Sequence, residues 1–265
     1  MERERAATVR RMARKADPDR AIAALFAPLT ARDDLFALFA FNGELARIAD
    51  QVSEPGVGAI RLQGWRDALA RAEAGEATGH PVADAFGSVL ARRGLSRERI
   101  AGLIDARSFD IGETIMPDTR TLDAYLVDTT GGLFALAAKI VGAEGENQGL
   151  IAQAAGQAYG LVRVMRSLPV LAAKGRTYLA TDVLERVGTT PKDIFAGRTT
   201  PGLVALLAEM RASARAALED ARFNLYGEGM KGTGLDEAGR TAFLPLALVE
   251  PYLDALSKVK DPLCN

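Results

Sequence analysis

Few side chains in this chain have the type and spacing for chemistry. His80 is the single histidine and stands in a GHPV step at a helix start. With no carboxylate or thiol beside it, a lone histidine is more often structural than a ligand. A Ser-His-Asp arrangement would have to use it, and no nucleophile elbow accompanies it. There is no glycine-rich phosphate loop; Gly131-Gly132 lies inside a helical pattern, where it allows close packing. Two stretches say more. Residues 35–55, LFALFAFNGELARIADQVSEP, carry Asn42 and Asp50. Residues 156–180, GQAYGLVRVMRSLPVLAAKGRTYLA, carry Arg163, Arg166, Arg176 and Tyr178. An arginine fork donates two parallel hydrogen bonds, which suits a phosphate or carboxylate.

The elements that position these residues read as helices. Apolar residues recur at steps of three and four almost throughout. Asp17-Pro18 reads as an N-cap and first-turn proline. Helices are expected over 30–51, 57–74, 81–93, 96–112, 119–142, 147–173, 202–226 and 238–258. The stretch 186–202 holds at most a short turn, and Gly227–Gly234 and Thr189–Thr200 read as loops. No strand is expected, because no alternating run is bounded by hairpin turns. Trp65, in AIRLQGWRDAL, is expected in the core.

The chain has 265 residues, 48% of them apolar, and a formal net charge of −1. That is enough apolar material for a full core in one domain spanning 1–265. The near-neutral charge gives no basic field of the kind nucleic-acid binders use. Cys264 is the only cysteine, so no internal disulfide can form, which suits a reducing compartment such as the cytoplasm. The charged start MERERAATVRRMARK has no apolar stretch behind it and is not expected to be a secretory signal. The apolar run GGLFALAAKIVG is short for a bilayer and holds Lys139, so no transmembrane segment is expected, although peripheral attachment remains open.

The two stretches resemble the two signature helices of the squalene/phytoene synthases. There the first helix carries A-F-C-R-x-x-D-D-x-x-D and the second Q-L-x-N-x-x-R-D-x-x-x-D, followed by G-R-x-Y-L-P. KGRTYLA, with Gly175, Arg176, Tyr178 and Leu179, is the most specific match. Trp65-Arg66, GLIDARSFDI and LDAYLVDTTGG add to it. The resemblance implies an all-α, isoprenoid-synthase-like bundle around a central cavity. It also implies that paired aspartates, one helical turn apart, would hold Mg²⁺ against a prenyl diphosphate.

Most of that acidic layer is replaced. By the alignment Ala46 and Arg47 stand for the paired aspartates and only Asp50 survives. Arg163 replaces the asparagine, Ser167 and Leu171 the aspartates of the second helix, and Arg166 is kept. The segment ELARIADQVSEPGVGAIRLQGWRDAL is similar to a divergent branch that includes the phytoene-synthase-related mitochondrial assembly factor of respiratory complex I and its bacterial relatives. This implies a non-catalytic protein with no metal and no cofactor, acting in assembly or in isoprenoid or lipid binding. The alternative is an active head-to-head prenyltransferase using Mg²⁺ at Asp50. The expected ligand-binding residues are Asn42, Asp50, Arg163, Arg166, Arg176 and Tyr178. Asn42, Ala46 and Asp50 should face Gly160, Arg163 and Ser167, with Arg163 paired to Asp50. The apolar lining is expected from Leu38, Phe41, Leu45, Leu161, Val164 and Leu171.

Overall fold

Asp17 shows how closely local chemistry sets the architecture. Helix α1 (Glu2–Ala16) stops there, and α2 (Pro18–Ala23) begins with Pro18 at its first position. One oxygen of Asp17 accepts the Arg20 backbone N–H at 3.1 Å, satisfying a donor that the first turn leaves without a partner. A 3₁₀ turn, Ala24–Phe26, leads to the long α3 (Leu29–Gln51). Then come α4 (Pro55–Glu73), α5 (Pro81–Arg93) and α6 (Arg97–Gly112). His80 caps α5: its Nδ1 accepts the Ala83 N–H at 3.4 Å. Its ring lies edge-on to Trp65, a structural use of the one histidine.

The computed structural model describes residues 2–112, 115–143, 147–227 and 234–264. The loop expected at Gly227–Gly234 lies largely outside them. Strand β1 (Ile115–Met116) precedes α7 (Thr119–Leu126), a π turn (Val127–Gly131) and α8 (Gly132–Val141). Helix α9 (Gln148–Ala173) runs into β2 (Thr177–Ala180). The rest is α10 (Thr181–Arg186), α11 (Pro191–Phe195), α12 (Pro201–Tyr226), α13 (Glu237–Thr241), a 3₁₀ turn (Leu244–Leu248) and α14 (Val249–Ser257).

Two expectations need correction. A small parallel strand pair exists, with Ile115 opposite Thr177 and Met116 opposite Ala180. A two-residue partner is too short to leave a period in sequence, and TYLA gains its strand form only from that partner. The last helix, expected over 238–258, is broken into three pieces, with Pro245 opening the 3₁₀ turn.

Helix α9 is the spine. It packs along α12 on one side and against the π turn and α8 on the other. Gly156 permits the second contact: a Cβ there would lie 2.7 Å from Gly131 Cα. Phe41 stacks on Phe86 with ring centres 4.7 Å apart, and Trp65 meets Phe41 edge-on. Burying side chains of this size contributes about 1.5–3 kcal/mol each. The continuous stretch Thr119–Val141 is long and apolar enough to cross a bilayer by composition, but 72% of its apolar window is buried within the protein. It is a core helix here, and its apolar character answers to neighbouring helices.

Candidate functional site

Helices α3 and α9 stand on opposite sides of a cavity of about 240 Å³. Larger grooves of about 520 and 420 Å³ lie elsewhere on the molecule, but the central one gathers most of the charged residues expected from sequence. Ala46 and Asp50 from α3 line it, as do Gly160, Arg163 and Ser167 from α9. Arg176 and Tyr178 reach in from the start of β2. Asn42 is buried beneath and accepts a hydrogen bond from Arg107 at 3.0 Å.

The floor is a closed polar network. On α6, Arg107 and Asp110 are one turn apart, and Arg107 Nη1 lies 2.9 Å from Asp110 Oδ2. Arg107 also donates to the Tyr125 hydroxyl at 2.9 Å. Tyr125 donates onward to Asp110 at 2.9 Å, and Tyr178 donates to the same carboxylate at 2.6 Å. Arg176 donates to the Asp110 backbone carbonyl. Burial pushes the Tyr125 hydroxyl up to about 12, and the Asp110 carboxylate it faces adds to this. Tyr178 is raised by the same causes, burial first. Burial alone would favour a neutral Arg107, but Tyr125 and Asp110 more than offset it and hold the guanidinium protonated. Arg107 Nε has no hydrogen-bond partner among the described residues.

Arg163 and Asp50 do not pair. Lys174, at the end of α9, takes Asp50 with Nζ 2.6 Å from Oδ1. Arg163 turns the other way, to Asp17 Oδ2 at 3.2 Å. Asp17 therefore caps α2 with one oxygen and accepts from Arg20, at 2.7 Å, and Arg163 with the other. Its burial would raise the carboxyl, but the Arg20 and Arg163 guanidiniums outweigh this and hold it below the usual range. Arg166 is not in the cavity. It sits over the Tyr252 ring, 3.8 Å from the centroid, and 3.4 Å from Asp19. The acids that hold the α9 arginines thus come from Asp17-Pro18-Asp19, not from α3.

The expected apolar lining is also redistributed. Val164 and Leu171 line the cavity, but Leu38, Phe41 and Leu45 are fully buried away from it, and Leu161 faces the groove beside α12. Gly43 leaves room for Ala16 of α1, not for a ligand, and Gly160 leaves room for Leu126. Arg107, Asp110 and Tyr125 were missed as site residues. Their signal was present in GLIDARSFDI and LDAYLVDTTGG, whose helical spacing brings each polar group to one face.

The residues present do not fit a magnesium cluster. Magnesium needs near-octahedral oxygen ligands, with one or two free carboxylates besides substrate phosphate. Asp110 is saturated by Arg107, Tyr125 and Tyr178, which leaves Asp50, ion-paired with Lys174 at the half-exposed rim, as the one other carboxylate of the cavity. Among the described residues no three His, Cys, Asp or Glu side chains come together as a metal-sized group. Four cations, Arg107, Arg163, Lys174 and Arg176, line the cavity against two carboxylates.

The comparisons agree with this architecture. The chain is similar to NADH dehydrogenase (ubiquinone) complex I, assembly factor 6, of Bos taurus, with 26% identity over 93% of this chain and 72% of that protein. It is also similar to presqualene diphosphate synthase of Rhodopseudomonas palustris, with 30% identity over 74% of this chain and 71% of that protein. The solved squalene synthase HpnC of Alicyclobacillus acidocaldarius has the same fold, with a TM-score of 0.81, 24% identity, and coverage of 96% of this chain and 93% of that one. The sequence pattern described as Squalene/phytoene synthase matches residues 13–264, and with the all-α bundle around its cavity this makes the chain a member of the squalene/phytoene synthase family.

Proposed function

We propose that this chain is a non-condensing member of its family, acting in the assembly of a respiratory complex of the complex I type through a cavity that accepts one anionic or polar head group of an isoprenoid or lipid. The observation that carries this reading is the state of the two cavity carboxylates. Each is already engaged by a cation of the chain itself, and two further arginines face the same space. Loss of a metal layer removes the main electrostatic contribution to departure of a diphosphate. What remains is a set of fixed guanidiniums, which recognise an anion without activating it.

Size supports the same reading. Ligand pockets usually span roughly 300–1,000 Å³, and this one holds about 240 Å³. Head-to-head condensation requires two long prenyl chains in one chamber, and a space this small suits a single head group. The similarity to complex I assembly factor 6 favours an assembly role, while the similarity to presqualene diphosphate synthase keeps a condensing enzyme as the rival. Incubating the purified chain with labelled farnesyl diphosphate and Mg²⁺ separates the two. The expected result is neither pyrophosphate release nor a thirty-carbon product. Steady turnover that disappears in Asp50→Ala would reject the proposal in favour of the enzyme.

A further inference from the structure

Outside the cavity, the corner between α2 and α3 inverts the usual order of burial. Its small residues, Ala21, Ala24 and Ala27, face inward and are buried. Its large apolar residues face water: Ile22 is 60% exposed, Leu25 44%, Phe26 68% and Leu29 78%. The backbone makes this arrangement. The 3₁₀ turn Ala24–Phe26 and the extended Ala27 and Pro28 turn the chain, and the four side chains stand on its solvent side. Burial in a core would select the opposite pattern, and an exposed apolar patch of this kind marks an interaction site.

Four guanidiniums are held beside this corner, each by a contact to Ala27 or to the first turns of α3. Arg32 Nε donates to the Ala27 carbonyl at 2.9 Å. Arg93 donates to the Thr30 carbonyl at 2.6 Å. Arg10 pairs with Asp33 at 2.6 Å, and Arg92 and Arg93 share Asp34 at 2.6 and 2.7 Å. Four arginines stand against two aspartates, so the collar is net positive.

We propose that this corner docks the protein on a lipid surface carrying anionic head groups, with Phe26 and Leu29 entering the interface and the arginine collar meeting the phosphates. A protein partner fits a patch this small less well. A stable protein interface takes about 800 Å² from each side and a complementary partner surface, whereas four exposed apolar side chains need only a fluid apolar layer beneath charged heads. The charge has the sign that an anionic leaflet attracts. The proposal stands on the corner alone and does not depend on what the cavity holds.

The test is sedimentation of the full chain with vesicles of phosphatidylcholine alone or mixed with phosphatidylglycerol. The chain should sediment with the mixed vesicles and far less with the neutral ones, and added salt should release it. Phe26→Ser with Leu29→Ser should weaken binding about tenfold or more. Arg10→Ser and Arg92→Gln should each weaken it about fivefold. A second measurement is independent of those variants. An environment-sensitive dye on Phe26→Cys, in a Cys264→Ser background, should shift to the blue when mixed vesicles are added. No sedimentation, or no blue shift, overturns the proposal. So does a wild-type oligomer that Leu29→Ser dissolves while vesicle binding is absent, which would assign the corner to a protein contact.

Discussion

Lys174 and Asp50 close an ion pair of 2.6 Å at the edge of the cavity, joining the end of α9 to the last turn of α3. Both side chains are about half exposed, so the pair is worth little in stability. Lys174→Ala and Asp50→Ala should each change the unfolding free energy by less than about 1 kcal/mol, measured in urea. The pair matters for what it occupies: it engages the one acid of α3 that the family pattern keeps.

The partner exchange at Arg163 gives a sharper prediction. A double-mutant cycle between Asp17→Ala and Arg163→Ala should show a coupling of about 1 kcal/mol, because the two touch and Asp17 is buried. The matching cycle between Asp50→Ala and Arg163→Ala should be additive. Urea unfolding of the single and double variants decides it, and the reverse result would mean that Arg163 turns back across the cavity in solution.

Arg107 should be the most costly cavity residue to remove. Arg107→Met leaves the buried Asp110 carboxylate with two hydroxyl donors and no guanidinium bonded to it. Breaking one side of a buried pair costs about 3–5 kcal/mol, whereas Tyr178→Phe removes one hydrogen bond and should cost about 1 kcal/mol. Equal losses in the two variants would show that the buried ion pair is not what makes Arg107 costly to remove.

Acid and alkali should strike different parts of the site. Asp17 has a folded-state pKa below its unfolded one, so its contribution is complete above about pH 4 and is lost as pH falls through the lower folded value. Asp17→Asn should flatten the acid limb of a stability profile. Tyr125 has the opposite sign: its pKa is raised from 10.0 to about 12, so its contribution is complete below pH 10 and fades as pH climbs through 12. Phenolate absorbance should therefore show Tyr125 silent at pH 10 in the folded chain and titrating normally once it is unfolded.

Gly156→Ala sets two effects against each other. Alanine favours a helix over glycine by about 1 kcal/mol. The new Cβ would fall 2.7 Å from Gly131 Cα, which is backbone and cannot rotate aside. Overpacking of this kind costs about 1–3 kcal/mol, so the variant should be destabilised in thermal unfolding. A gain in stability would mean that α9 and the π turn sit further apart than described.

Helical period made the bundle legible, and most helix limits fall within a residue or two of those expected. Patterning says which residues turn inward on one element, but not which element lies opposite. Asp17 illustrates this. Read locally it is an N-cap, which it is, yet its second oxygen serves Arg20 and an arginine on α9, 146 residues away. The expected Asp50–Arg163 pair failed because Lys174, at the end of the same helix, reaches Asp50 instead. Arg166 failed as a cavity residue because it stands less than one turn beyond Arg163, where Tyr252 and Asp19 lie. Arg107 and Asp110 were visible as a motif, but their role depends on Tyr125 and Tyr178, which come from two separate elements.

The π turn at Val127–Gly131 holds more residues in its loop than an α turn does. It lies between Tyr125, which closes the floor of the cavity, and Leu133, which lines the wall. If the turn relaxed into regular α-helix while keeping all its residues, the helix beyond it would shift in register by one residue. Everything on one side would then rotate by about 100° relative to the other. Tyr125 would swing out of reach of Asp110 although no letter of its surroundings had changed. The extra residue held in the π turn is thus what keeps Tyr125 on the floor and Leu133 on the wall at the same time.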